Sequence, residues 1–426
     1  MRKMKDSGIE WIGEMPEAWS IHRIKNNFSI ISGSGFKTDY QGEEIGDFPV
    51  CKASDISAAG HKLFSAANYI SQDIQSQEGF SVIPAGSVLF AKIGEAMKKN
   101  NRTLLMVNAC ADNNCQAMVP QNILPEYAYY LFSCIDMQWF DNAGTIPCIN
   151  NTKLLNFKFA YPQHNEQVSI VNYLDQKCAD IDAIISAKEK TNELLKERRQ
   201  SIIYEAVTKG LDPTVPMKDS GIEWIGDIPE SWNAKKIKYS FALLAGATPK
   251  SAIDEYWNGE ITWITPADYT TDDKYVYGGH KTITEEGLNS CATTIVPEGS
   301  IIFSKRAPIG LVAINKVPLC TNQGCISCVP NSDVDSEFYY YAMSAFTKEF
   351  DLLGSGTTFK EISAENFANF VLPNPDFEEQ KTISNYLNEK CAEINTLIEA
   401  NNSTIEKLKK YRQSVIYEAV TGKVEI

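Results

Sequence analysis

Three pairs of loops hold the polar residues that could act on another molecule. The first stretch, KIGEAMKKNNR at 92–102, puts Lys92, Lys98, Lys99 and Arg102 in one basic run. KRAPIG at 305–310 answers it with Lys305 and Arg306. The second stretch, GTIPCINNTK at 144–153, offers Thr145, Asn150, Asn151 and Lys153. Its counterpart, GSGTTFKEI at 354–362, offers Thr357, Thr358 and Lys360. The third pair is SGSGFKTDY at 32–40, with Lys37, and AGATPKSAIDEY at 245–256, with Lys250. Ammonium and guanidinium groups bind phosphate oxygens, and amides and hydroxyls match base edges. These fifteen residues are therefore candidates for contact with nucleic acid.

Catalysis finds less support. No GxxxxGK[ST] loop is present to cradle a nucleotide phosphate. GSGTTF at 354–359 lacks the GxGxxG pattern and a βαβ context. NPD at 374–376 lacks the aromatic residue and second proline of an amino-methyltransferase motif. Only four histidines occur, and His164 and His280 read as solvated loop or helix-start residues. Eleven scattered cysteines, with Cys325 and Cys328 lacking a second pair at zinc spacing, read as thiols of a reducing cytoplasm. No catalytic, cofactor or metal residue is assigned. No segment is apolar enough to span a bilayer, and the basic N-terminus is not followed by an apolar run.

The elements that must position these loops occur twice. KDSGIEWIGEMPEAW at 5–19 and KDSGIEWIGDIPESW at 218–232 differ at three positions. Their tryptophans read as anchors that pack near a helix end or against equivalent surfaces of a partner. IPAGSVLFAKIG matches VPEGSIIFSKRAPIG, with Pro84 and Pro297 213 positions apart. Short apolar runs broken by Gly, Pro, Asn and Asp predict strands and turns, and PEYAYYLFSCIDMQWF and SEFYYYAMSAF predict one helix in each copy. Each copy is thus an α+β globule of about 140 residues, the size of an ordinary domain. Shared strands and turns imply a common scaffold, and divergent loops imply two different targets of one chemical class.

Each copy ends in a long helix, at about 163–209 and 376–421, that starts behind Pro162 or Pro375. Leu174, Cys178, Ile181, Ile185, Leu195 and Ile202 fall on alternating three- and four-residue steps in the first. Leu387, Cys391, Ile394, Ile398, Ile405, Leu408 and Val415 do so in the second. This is the seam of a coiled coil. Lys188, Asn192, Arg199, Asn401 and Arg412 interrupt it, as register-setting polar residues do. Each helix needs a partner, and the other helix, antiparallel, supplies one. The expected domains are 1–160 (first globule), 161–210 (central helix), 211–374 (linker and second globule) and 375–426 (C-terminal helix), related by a pseudo-two-fold axis. At about 1.5 Å per residue each rod is roughly 70 Å long.

The net charge of −14 opposes a protein that coats nucleic acid by itself. It permits a reader of bases whose partners supply backbone contacts.

In GIEWIGEMPEAW and GIEWIGDIPESW, the paired strand–turn segments, TNQGC at 321–325 and the helix ends RQSIIYEAVTKG and RQSVIYEAVTGK, the sequence resembles the DNA-specificity subunit of type I restriction–modification enzymes. The resemblance spans essentially the whole chain; the first copy departs from TNQGC with ADNNC. It implies that each globule recognises half of a bipartite, asymmetric site on double-stranded DNA. It implies that the helix pair sets the gap and docks two methyltransferase subunits, which would carry S-adenosylmethionine. Restriction and translocase subunits, using ATP and Mg2+, would complete the assembly. Without the resemblance, a two-headed protein-binding scaffold that does not read DNA, or an enzyme with an unrecognised site such as a nuclease, stays open.

Overall fold

The computed structural model describes residues 2–271, 273–356 and 360–426. The chain forms two compact units, 1–188 with 402–426 and 189–401. Each unit therefore holds one globule, half of the first long helix and half of the second.

Unit 1 is built on a five-stranded sheet of β1 (Phe28–Ser32), β2 (Lys62–Leu63), β3 (Val88–Ala91), β4 (Arg102–Leu105) and β5 (Cys115–Pro120) in the order β1-β5-β3-β4-β2. All neighbours are antiparallel except β4 and β2. The central strands β3 and β4 are buried at every position, as continuous apolar runs require. Helix α1 (Pro125–Ser133) covers one face with Tyr127, Leu131 and Phe132. Ile56, Leu63 and Leu105 help form a second, smaller core.

The long helix α2 (His164–Lys209) follows. Unit 2 then repeats the sheet with β6 (Phe241–Ala245), β7 (Tyr275–Val276), β8 (Ile301–Ser304), β9 (Val312–Asn315) and β10 (Cys325–Pro330). The order is β6-β10-β8-β9-β7, with the same strand directions. Helix α3 (Ser336–Ala345) stands where α1 stands, and α4 (Phe377–Val420) closes the chain.

Within each unit the two long helices run antiparallel. In unit 1 Arg412 pairs with Asp182 at 2.9 Å, and Val415, Ile416 and Ala419 share a core with Leu174 and Cys178. In unit 2 Arg199 donates to Asn395 at 2.6 Å, and Ile203 and Val207 share a core with Leu387 and Cys391. These two polar contacts are repeat-equivalent, since Arg199 and Arg412, like Asp182 and Asn395, are 213 positions apart. Asn401 Nδ2 donates to Asn192 Oδ1 at 2.8 Å, inside the seam of unit 2.

The seam residues are inside, to different depths. Leu174, Cys178, Ile181, Leu387, Cys391, Ile394, Ile405 and Val415 are buried. Ile185, Leu195, Ile202, Ile398 and Leu408 are half-buried, because a pair of helices cannot enclose a residue as a globule does. Ile203, next to Ile202, is the more buried of the two because the second globule covers it.

The near-identity of the opening segments has a direct cause. Each forms a hairpin, Met4–Asp6 with Glu14–Pro16 and Met217–Asp219 with Asp227–Pro229. In unit 1 the Trp19 indole donates to Glu166 at the start of α2, and the Tyr417 hydroxyl, near the end of α4, donates to the Trp11 carbonyl. In unit 2 Trp232 donates to Glu379, and Tyr204 to the Trp224 carbonyl. Gly422 and Gly210 end the helices with φ of 74°, the left-handed C-cap that glycine adopts without strain. A Cβ on Gly422 would lie 2.4 Å from Pro16, so the close approach also needs glycine.

Candidate nucleic-acid interface

Of the fifteen candidates, the loops leave some exposed and commit others to the fold. In unit 1 Lys98 and Lys99 are exposed at the end of the short helix Gly94–Lys98, where Lys98 also bonds Glu95 at 2.6 Å. Lys92 is half-buried, and its backbone ties the loop to Asn114 and Ile149. The hydrogen bond from Lys37 to Glu78, which also accepts from Tyr40, raises the Lys37 ammonium pKa. Thr145 is exposed. Lys153 is exposed and donates to the Asp141 carbonyl.

Arg102 is a correction. The basic-run reading placed it on a loop, but it opens the central strand β4 and is 7 % exposed. Its guanidinium donates to the carbonyls of Ile135, at 2.9 Å, and Asn100. Burial pushes its pKa down to about 10, which leaves it charged at neutral pH. Its donors hold strand to loop and are not offered outward. Asn150 and Asn151 are likewise engaged. Asn150 caps the helix Asn151–Asn156 by accepting from the Lys153 amide, and Asn151 accepts from Gln116.

In unit 2 Lys250 is exposed. Lys305 and Arg306 both bind Glu361, each at 2.7 Å. Burial alone would raise the Glu361 carboxyl, but those hydrogen bonds outweigh it and hold the pKa below the usual range. This basic pair is therefore partly neutralised inside the globule. Lys360 pairs with Asp351 at 2.6 Å. Thr357 and Thr358 lie outside the described residues.

Residues that sequence reading passed over prove to join the elements. Gln167 and Gln380 are buried at the starts of the long helices. Gln167 accepts from the Leu124 amide and donates to the Pro162 carbonyl; Gln380 accepts from the Asp335 amide and donates to the Pro375 carbonyl. Each thereby fixes α1 or α3 to the helix that follows. Their recurrence at an offset of 213 was the available signal. The departure of ADNNC from TNQGC leaves the turn intact. Asp112 accepts from the Asn114 amide as Asn322 accepts from the Gly324 amide, and Cys115 and Cys325 close the two turns with equal 3.1 Å bonds.

Among the described residues no group of three His, Cys, Asp or Glu is arranged to hold a metal, and no described helix is long and apolar enough to cross a membrane. Burial raises the thiol pKa of Cys325 to about 12, the direction of an inert thiol.

Each unit is an α+β globule with its own loops and a share of the two antiparallel long helices. The profile of the type I restriction modification DNA specificity domain matches residues 16–196 and 229–407. The chain belongs to that family, and so is a DNA-specificity subunit of a type I restriction–modification complex. It is 40 % identical over 169 residues to the type I restriction enzyme MjaIX specificity subunit of Methanocaldococcus jannaschii, covering 38 % of each chain. It is 25 % identical over 432 residues to the putative MjaX specificity subunit of the same organism, covering 97 % of this chain and 96 % of that one. A chain from a structure of the type I system, solved to explain complex assembly and conformational transition, superposes with a TM-score of 0.72 at 16 % identity, over 96 % of this chain and 99 % of that one. The HsdS subunit from Thermoanaerobacter tengcongensis gives 0.51 at 17 % identity, over 96 % and 98 %.

Proposed function

We propose that each globule reads one half of a bipartite, asymmetric site on double-stranded DNA and that the helix pair sets the gap between the halves. The observation that carries this reading is one scaffold built twice, with identical joints to the helices and different outward loops. Identical joints fit a common job of holding, and different loops fit two different half-sites. Among the described candidates, Lys98, Lys99, Thr145 and Lys250 are the ones exposed without a long-range partner in the fold, so they lead the assignment. Lys37, Lys92, Lys153, Lys305, Arg306 and Lys360 would reach phosphate from, or at the expense of, the bonds described above.

The partners in this reading are two methyltransferase subunits docked on the helix pair and, in the full assembly, restriction and translocase subunits. S-adenosylmethionine, ATP and Mg2+ belong to those subunits. The methyltransferase would flip the target adenine out of the stack, because its own active site cannot reach the reacting atom inside a duplex. The acidic chain then depends on its partners for much of the phosphate contact.

A ruler predicts its own failure. Inserting one helical turn, four residues, in both long helices near their midpoints should lengthen the gap and leave both half-sites unchanged. Sequencing the methylated sites of such a variant measures both. An unchanged gap would sink the reading.

A further inference from the structure

In unit 2 the short turn Pro266–Asp268 holds one exposed histidine in place. The Asp268 side chain is 5 % exposed and accepts four hydrogen bonds. Two come from the Thr265 amide (2.7 Å) and hydroxyl (2.8 Å), and two from the His280 amide (2.8 Å) and Nδ1 (2.5 Å). Burial alone would raise the Asp268 pKa, but the bonds from His280 and Thr265 outweigh it and keep the carboxyl ionised. An ionised carboxylate only accepts, so His280 Nδ1 is the donor and Nε2 is the nitrogen left for a ligand. The imidazole is 85 % exposed. His280 directly precedes the strand Lys281–Ile283, which pairs with Trp257–Ile264, so the ring is carried on a rigid element.

Unit 1 builds the same frame without the ring. Asp55 accepts from the Lys52 amide at 2.7 Å and from the Ala67 amide at 3.0 Å. Lys52 and Thr265, Asp55 and Asp268, and Ala67 and His280 are each 213 positions apart. The backbone bonds agree, and the exposed side chain they hold is a methyl group in one unit and an imidazole in the other.

The frame stands beside the loops that carry the candidate contacts of unit 2. In the TNQGC turn the Gly324 carbonyl accepts from the Lys305 amide, the Thr321 carbonyl accepts from the Ala247 amide, and Thr248 donates to Gln323. A Cβ on Gly324 would lie 3.2 Å from the Pro266 ring, so the turn that holds Asp268 packs directly on the TNQGC turn. The segments bearing Lys250, Lys305 and His280 therefore converge on one turn.

We infer that His280 is a specificity-determining residue, whose Nε2 contacts one base edge in the half-site read by unit 2. This rests on the half-site reading and names a residue that carries it. A frame shared by both units fits the task of holding, and a side chain that differs on that frame fits the task of telling one half-site from the other. On the neutral ring Nε2 accepts, which suits the exocyclic amine of adenine or cytosine; on the protonated ring it donates, which suits N7 or O6 of guanine. The base found at the affected position tells these apart.

Base-resolution methylation by the chain assembled with the methyltransferase of its own system tests the inference, with wild type set against His280→Ala, the residue that unit 1 carries at this position. Discrimination at one base pair of one half-site is expected to fall by about tenfold. The other half-site and the gap should stay as in wild type, and they report folding and assembly within the same experiment. Should the variant methylate nothing, a photo-crosslinking residue at position 280 of the otherwise native complex is expected to join a base of that half-site, and no capture there would overturn the inference. Weaker methylation with every base preference kept would assign His280 to a phosphate and overturn it as a base reader. A motif and methylation level identical to wild type would overturn it outright. A wild-type complex that shows no two-part motif would sink the half-site reading itself, and this residue's part in it.

Discussion

At the residue scale, charge in the sequence divides into charge offered and charge consumed. Lys98 and Arg102 lie four positions apart, yet one is exposed and the other braces a strand. Replacing Lys98 and Lys99 together by Ala should therefore weaken DNA binding by the assembled complex and lower its salt slope by about 2, as loss of two phosphate contacts requires. The check is binding measured over a series of salt concentrations. Arg102→Ala should instead cost about 2–4 kcal/mol of stability, because the Ile135 and Asn100 carbonyls lose their donor; denaturant unfolding would register it. His61 is a second consumed residue. Burial lowers its pKa to about 4, against the pull of Asp175 and Asp182 and with the help of Lys62 and Arg412, while its ring stacks on Tyr129 at 4.0 Å. The folded state thus binds the proton less readily than the unfolded state, whose pKa is about 6.5. The stability this contributes is complete above pH 6.5 and is lost as pH falls from 6.5 towards 4. Allowing for its partial solvent access, the loss is on the order of 2 kcal/mol. Unfolding as a function of pH should show that slope, and His61→Gln should flatten it. Which cations are consumed could not be read from the sequence, since the acid that meets Lys305 and Arg306 is Glu361, more than fifty residues away.

At the element scale, the long helices were legible because period, length and end signals agreed. The helices run His164–Lys209 and Phe377–Val420. The polar interruptions of the seam were also legible, and Arg199, Arg412 and the pair Asn192 and Asn401 proved to make cross-helix bonds. Asn192, 9 % exposed, accepts from Asn401. Asn401→Leu should cost about 1–3 kcal/mol, because the Asn192 carbonyl loses that donor in the seam. The double change Asn192→Leu with Asn401→Leu should recover most of that loss, since an apolar pair of similar size is tolerated where a lone polar group is not. Thermal unfolding of the two single variants and the double variant decides it; a double variant that loses the sum of the singles would contradict the pairing. The strands were legible as types and not as an order. Nothing in local pattern says that β2 joins β4 in parallel, because that choice is made by side chains packed from distant segments.

At the scale of the whole molecule, one feature of the sequence, the 213-residue offset, was worth more than any motif. It showed that the elements are built twice, and the identical joints of Trp19 and Trp232 to Glu166 and Glu379 are its structural form. The candidate interface was legible only as loops, since base-reading geometry depends on how loops fold and not on their composition. The central claim is that this chain chooses where a methyltransferase acts. The most direct measurement is base-resolution N6-adenine methylation in a host carrying the methyltransferase with this chain and in the same host without it. The account predicts a two-part motif with a fixed gap that disappears with the chain. An unchanged methylome, with the methyltransferase shown to be active, would contradict it and favour a two-headed scaffold that does not read DNA.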